Sequence, residues 1–237
     1  MAYDWQNRAT ARPATWAEVD IGLRQYMLRV YNYMGAGLAL TGLVAYAAAA
    51  SGLYQAIYRT PLMWLVMLAP LGMVFFLSFR IRQMSLGAAQ TTFWIYAGSV
   101  GLSLAGIFLV YTGMSIASTF FITAAMFLGT SLYGYTTGRD LSGVGSFMFM
   151  GLIGILIAGL VNIFLASPAL QFAISVIGVV VFTGLTAWDT QRIKEMYTAN
   201  DDGTIAGKKA IMGALALYLD FLNLFLFMLQ FLGQRRD

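Results

Sequence analysis

The chain has no cysteine, no histidine and little charge. Without cysteine there is no disulfide frame, no thiol nucleophile and no iron–sulfur ligand set. Without histidine there is no histidine-based catalytic triad, and the usual zinc and haem ligands are missing. Charged residues make up 10% of the 237, against about 25% in an ordinary soluble domain. A soluble fold of this size would lack the charge to cover its surface. The net charge of +4 is spread along the chain without a dense basic block, which argues against nucleic acid as a partner. What is abundant is apolar, 59% of all residues. The 25 glycines stand in apolar surroundings, where small residues let membrane helices approach one another. These features describe an all-α integral membrane protein whose first partner is the lipid bilayer.

Crossing roughly 30 Å of hydrocarbon takes about 20 helical residues, and uncharged windows of that length divide the chain. Val30 to Tyr58 holds the first span, ending near Ser51-Gly52, and Pro61 to Phe79 the second. Gln83 to Gly138 is too long for one helix and breaks at Thr112-Gly113, giving spans three and four. Leu141 to Trp188 breaks at Ser167-Pro168, since proline starts helices well and interrupts them badly. It gives spans five and six. Ala210 to Gln234, apolar except for Asp220, gives span seven, after a turn over 199–207. The expected organisation is a tail over 1–29 and a seven-helix bundle over 30–237. The tail has no short apolar core near its start, so the first span is expected to be an uncleaved anchor.

Orientation follows from lysine and arginine. With the N-terminus cytoplasmic, eleven of the fourteen basic residues fall inside, and only Arg59, Arg235 and Arg236 fall outside. The C-terminus is then expected to be non-cytoplasmic. A six-span alternative, with the last segment re-entrant, would return Arg235 and Arg236 to the inside.

Few residues suggest chemistry. Gly154 and Ala158 have the four-residue spacing of a small-residue helix contact. GTIAGKK (203–209) lacks the spacing and the hydroxyl residue of a phosphate loop. Asp220 differs from its surroundings. It sits about eleven residues inside span seven, roughly 16 Å from that span's start. An aspartate there costs about 2.5–3.5 kcal/mol on insertion scales. The side chain is too short to reach water, so it must face the bundle interior, a partner or a hydrated cavity. Asn223 shares its face.

Asp189, near the end of span six, is the natural partner. An antiparallel hairpin of spans six and seven sets 189 and 220 at similar depth. Two close carboxylates in a poorly solvated site do not both ionise cheaply; they would share a proton. Such a pair responds to pH and offers oxygen ligands to a hard cation such as calcium. Plainer readings stand beside this one. In these, Asp189 pairs with Arg192 on its own helix, and Asp220 is an anchor bonded to Asn162 or a tyrosine. Arg80 and Arg82 at the inner end of span two read as topology markers or as a latch on Asp189.

The segments TAWDTQRIKEM (186–196) and ALYLDFLNLFL (216–226), with SLYGYTTGRDLS (131–142) and LVNIFL (160–165), resemble the motifs of the Bax inhibitor family, in its bacterial inner-membrane branch. The resemblance runs from about Gln25 to Gly233. It implies seven helices, the last one central and wrapped by the other six. It implies a pH-sensitive calcium leak, with Asp189 and Asp220 as the paired aspartates and Arg82 or Arg80 as the gating arginine. The acidic residue that some relatives carry in the second span is absent, since Pro61 to Phe79 has none.

The expected function is therefore a calcium-permeable channel gated by a proton-sharing pair, with calcium and protons as its ions and no permanently bound cofactor. The alternative is a membrane-embedded modulator of a protease or stress-response partner. An enzyme is not expected. Two aspartates on adjacent helices also describe intramembrane aspartyl proteases, but neither Asp189 nor Asp220 has the glycine-flanked setting of those enzymes.

Overall fold

The computed structural model describes residues 16–236, with side chains from residue 21. Its helices are α1 (Trp16–Ala50), α2 (Leu53–Tyr58), α3 (Leu62–Arg80), α4 (Leu86–Leu104), α5 (Ile107–Val110), α6 (Gly113–Thr136), α7 (Ser142–Leu165), α8 (Pro168–Glu195) and α9 (Gly203–Leu232). Seven segments are long and apolar enough to cross a membrane, with α4 and α5 forming one of them as Leu86–Val110. The protein is an all-α integral membrane protein with seven spans.

Local chemistry sets the breaks. Thr112 and Ser167 stand in extended backbone and cap α6 and α8, accepting from Ser115 N–H and Leu170 N–H. Pro168 opens α8, where its missing N–H costs nothing. Asp202 caps α9 by accepting from Ile205 N–H at 2.7 Å. Gly52 ends the first span in the left-handed region, at φ +76°. Inside α3, Pro70 leaves the carbonyl of Val66 without its helical donor. The hydroxyl of Ser103 on α4 donates to that carbonyl at 2.5 Å.

The last helix is central. In its apolar window 61% of residues are buried, against 6% in α3 and in α7. It packs against α1, α4, α6 and α8, while α3 leans on α4 and α7 on α8. Four of the other six spans thus pack directly on it, and α3 and α7 stand as two outriders. The outriders carry the two most apolar windows of the seven, as helices with lipid on most sides should.

Two expected boundaries move, and one expected contact is absent. The helix of the first span extends back to Trp16, and Tyr26 and Met27 are buried in the core. Arg8, Arg12 and the rest of 1–15 lie outside the described residues. The turn before the last span closes at Gly203 rather than near residue 207, because Asp202 caps the helix early. The Gly154–Ala158 contact does not form: Gly154 is exposed, with open space where a Cβ would sit. Close packing on α7 falls instead at Gly145, beneath the Trp188 ring, and at Gly151, against Val181.

Candidate functional site

Helices α8 and α9 form the expected hairpin, and three contacts give its register. Gly213 lies under Ile193. Phe182 stacks on Phe227 with ring centroids 5.8 Å apart. Near the far pole, Gln171 Nε2 donates to Gln230 Oε1 at 2.7 Å. This register sets Asp189 close to level with Asp220, and the two carboxyl groups face each other within hydrogen-bonding reach. Asp220 is 4% exposed and Asp189 half-buried. The Oδ2 atom of Asp220 is buried without a hydrogen-bond partner. Counted from Gly203, Asp220 lies roughly 26 Å along α9, deeper than a start at Ala210 suggested. The first two turns of α9 overhang α8; there Gly207 packs under Leu86, and Lys208 Nζ donates to the carbonyl of Arg82.

Each aspartate is held by its own set of ties. Around Asp189, the segment 131–142 docks onto 186–196. The Tyr31 hydroxyl bonds to Ser131 Oγ at 2.6 Å, and Ser131 Oγ to Thr190 Oγ1 at 2.9 Å. Gln191 accepts from Leu141 N–H and donates to the Arg139 carbonyl, both at 2.8 Å. Lys194 Nζ donates to the Tyr135 carbonyl at 2.9 Å. Gly134 lies so close beneath the Ala187 carbonyl that a Cβ would collide with backbone. Two of the family-like segments are thus the two halves of one interface, and their small and polar residues are its fitted parts.

Around Asp220 the ties run the other way. The Tyr218 hydroxyl bonds to Thr41 Oγ1 at 2.6 Å, and Thr41 donates to the Ala97 carbonyl at 2.9 Å, joining α9 to α1 and α4. Tyr96 packs edge-on against Tyr218. The aspartates therefore meet between α8, tied to α6, to the α6–α7 connection and through Tyr31 to α1, and α9, tied to α1 and α4 and packed on α6 through Phe221 against Phe120 and Phe127. Sequence reasoning missed Tyr31, Thr41, Ser131, Thr190, Gln191 and Tyr218. Hydroxyl and amide side chains carry no spacing signal.

The remaining expected residues do not gather at the pair. Arg80 and Arg82 are exposed, and the ion pair among the described residues is Lys209–Asp201, across the α8–α9 turn. Arg192 is also exposed, its guanidinium 5.4 Å over the Trp188 ring; it does not bind Asp189 as an ion pair. Asn223 donates to the Leu219 carbonyl of its own helix at 2.8 Å. Asn162 lies at the far pole, donating to Gln171 and accepting from Ser167 N–H. It cannot anchor Asp220, because α7 carries it to the opposite end of the bundle. Among the described residues no three acidic side chains converge.

Residues 23–237 match the family described as inhibitor of apoptosis-promoting Bax1. An uncharacterized protein of Rickettsia prowazekii is 51% identical over 219 residues, covering 92% of this chain and 93% of that one. The inner membrane protein YbhL of Escherichia coli K12 is 49% identical over 219 residues, covering 91% and 94%. An uncharacterized membrane protein of Streptococcus pyogenes is 34% identical over 223 residues, covering 92% and 96%. With a match over both aspartate segments and the whole bundle, the chain belongs to the Bax inhibitor family of multi-pass membrane proteins.

Proposed function

We propose that the protein is a proton-regulated, calcium-permeable leak channel of a bacterial inner membrane, with the N-terminus cytoplasmic. One observation carries this reading: a buried carboxylate with an unpartnered oxygen faces a second carboxylate across the seam of the bundle. In the closed state the pair holds one proton between Asp189 and Asp220. As pH rises that proton leaves, and two like charges face each other in a site with little water. The side chains separate, and α9, tied to α1 and α4, shifts against α8, tied to α6 and through Tyr31 also to α1. The outer half of α9 buries Phe221, Leu224, Phe225 and Met228, an apolar stretch that fits a closed state.

Calcium is cargo in this scheme. It takes six to eight oxygen ligands, and two carboxyl groups offer at most about four. Water and backbone carbonyls must supply the rest, which suits passage better than retention. No covalent chemistry is assigned to the pair, and no resident cofactor is required. The match to an inner membrane protein supports the location, and the bias of basic residues supports the orientation.

The test is calcium flux into proteoliposomes across a series of pH values. Wild-type flux is expected to rise with pH, and flux through Asp220→Asn to lose that dependence. A wild-type profile in Asp220→Asn would refute gating by the pair and favour the partner-protein reading.

A further inference from the structure

The three basic residues at the pole opposite the α8–α9 turn lie around one cleft, Arg59 in its lining and Arg235 and Arg236 joined to its wall by backbone contacts. It has a volume of about 720 Å³ and lies between α2 and α5. Arg59 lines it directly. The C-terminal segment runs back along its far wall, with Arg236 N–H donating to the Val110 carbonyl at 2.8 Å and Arg235 bridged to Tyr111. Val110 and Tyr111 are themselves lining residues, so the backbone sets Arg235 and Arg236 at the rim. All three arginines are exposed. No acidic residue occurs in 51–61 or in 104–113, the two segments that build the walls.

The cleft also holds neutral polar groups. Gln55 lines it, and its Oε1 atom is buried without a hydrogen-bond partner. Tyr54 lies against Gly106 and beside Tyr58, with the two rings 6.0 Å apart. Burial, and then the neighbouring Tyr58, hold the Tyr54 phenol above its ordinary range, so it stays a neutral donor. Just beyond the cleft, α3 exposes Leu62 and Leu65 to the membrane. Cations, a phenol donor and an unsatisfied acceptor thus stand at the end of the apolar spans, next to an exposed apolar helix face.

We propose that this cleft binds the headgroup of an anionic phospholipid bearing free hydroxyls. The phosphate sits among Arg59, Arg235 and Arg236, as arginine suits phosphate oxygens. A headgroup hydroxyl donates to Gln55, and the acyl chains run along α3. A lipid held there fastens α2 and α5 to the C-terminal segment of the central helix.

Native mass spectrometry of the full-length protein, released from micelles doped with phosphatidylglycerol or phosphatidylcholine, tests this. Wild type is expected to keep the first lipid and shed the second. Arg59→Gln, and then the triple variant with Arg235→Gln and Arg236→Gln, should weaken retention by about fivefold per arginine removed. Removing the same charge at the other pole, with Arg80→Gln, Arg82→Gln and Arg139→Gln, should leave retention intact. Equal retention of both lipids, or equal loss in the two triple variants, overturns the proposal. Displacement by inorganic phosphate alone would assign the site to a soluble phosphate and overturn the lipid; its failure to displace supports the lipid. Should the triple variant not fold, Gln55→Leu is read instead, with weaker retention expected and unchanged retention overturning the proposal.

Discussion

Replacing Gly134 by alanine tests whether the α6–α8 interface is as tight as it is drawn. The added methyl would meet the Ala187 carbonyl oxygen and carbon, which are backbone inside a helix and cannot swing aside. Relief requires α6 and α8 to separate, straining the Ser131–Thr190 and Gln191–Leu141 bonds that flank the site. Overpacking of this kind costs about 1–3 kcal/mol. At about 2–4 °C per kcal/mol for a chain of this length, the midpoint should fall by roughly 2–12 °C. The internal control is Gly129, five residues earlier on α6, exposed and with nothing near the position of a Cβ. Alanine there removes backbone freedom without a clash and should be neutral or stabilising by up to about 1 kcal/mol. The assay is thermal unfolding of both variants in one detergent, followed by circular dichroism. Because Ala187 lies two residues from Asp189, Gly134→Ala should also disturb the pH response of flux, which Gly129→Ala should not. Equal stability of the two variants would refute the argument.

Further consequences follow from other parts of the fold. Ser103→Ala should cost about 1 kcal/mol by orphaning the Val66 carbonyl, and much less in a Pro70→Ala background, where the helix supplies its own donor; a double-mutant cycle on unfolding midpoints reads the difference. In proteoliposomes, the double variant Asp189→Asn with Asp220→Asn should have a flux profile little different from the more affected single variant, because coupled groups are not additive; additive effects would mean the aspartates act separately. Hydrogen bonds from Ser142 hold the exposed Asp140 carboxyl below its ordinary value, so its contribution is present at neutral pH and is lost as pH falls through the folded-state value. Asp140→Asn should therefore be slightly less stable than wild type at neutral pH, with the gap closing in acid, as midpoints measured across pH will show.

The seven spans were legible because their determinants are local. Charge-free windows, Ser167-Pro168 and Thr112-Gly113 each mark a break through chemistry that a linear reading can see. The aspartate hairpin was legible for a related reason: only seven residues separate α8 from α9, so antiparallel geometry nearly sets the register. Other features depend on contacts between distant segments. Gly154 and Gly134 look alike in sequence, yet one faces open space and the other a carbonyl, since nothing local says which side of a uniformly apolar helix meets a neighbour. Tyr31, Ser131 and Thr190 are ordinary residues until three helices bring them together. The last helix began early because Asp202, read as part of a turn, is also a cap.

The contrast between hydroxyls and carboxylates in this bundle bears on what the pair is for. Where helices are fastened, the groups used are Tyr31, Thr41, Ser131, Thr190 and Tyr218, each with a partner. Such neutral bonds suffice to join helices inside a membrane, at about 0.6 kcal/mol each. An aspartate at the same depth costs several times more to insert, and the group Asp220 faces is another carboxyl rather than a donor. A group kept for fastening would have been better served by asparagine or threonine, which need no proton to remain neutral. What the carboxyl adds over either is a charge that can appear and vanish. Its position adds the rest, because in the proposed mechanism the charge appears between α8 and α9, where repulsion between Asp189 and Asp220 can do mechanical work.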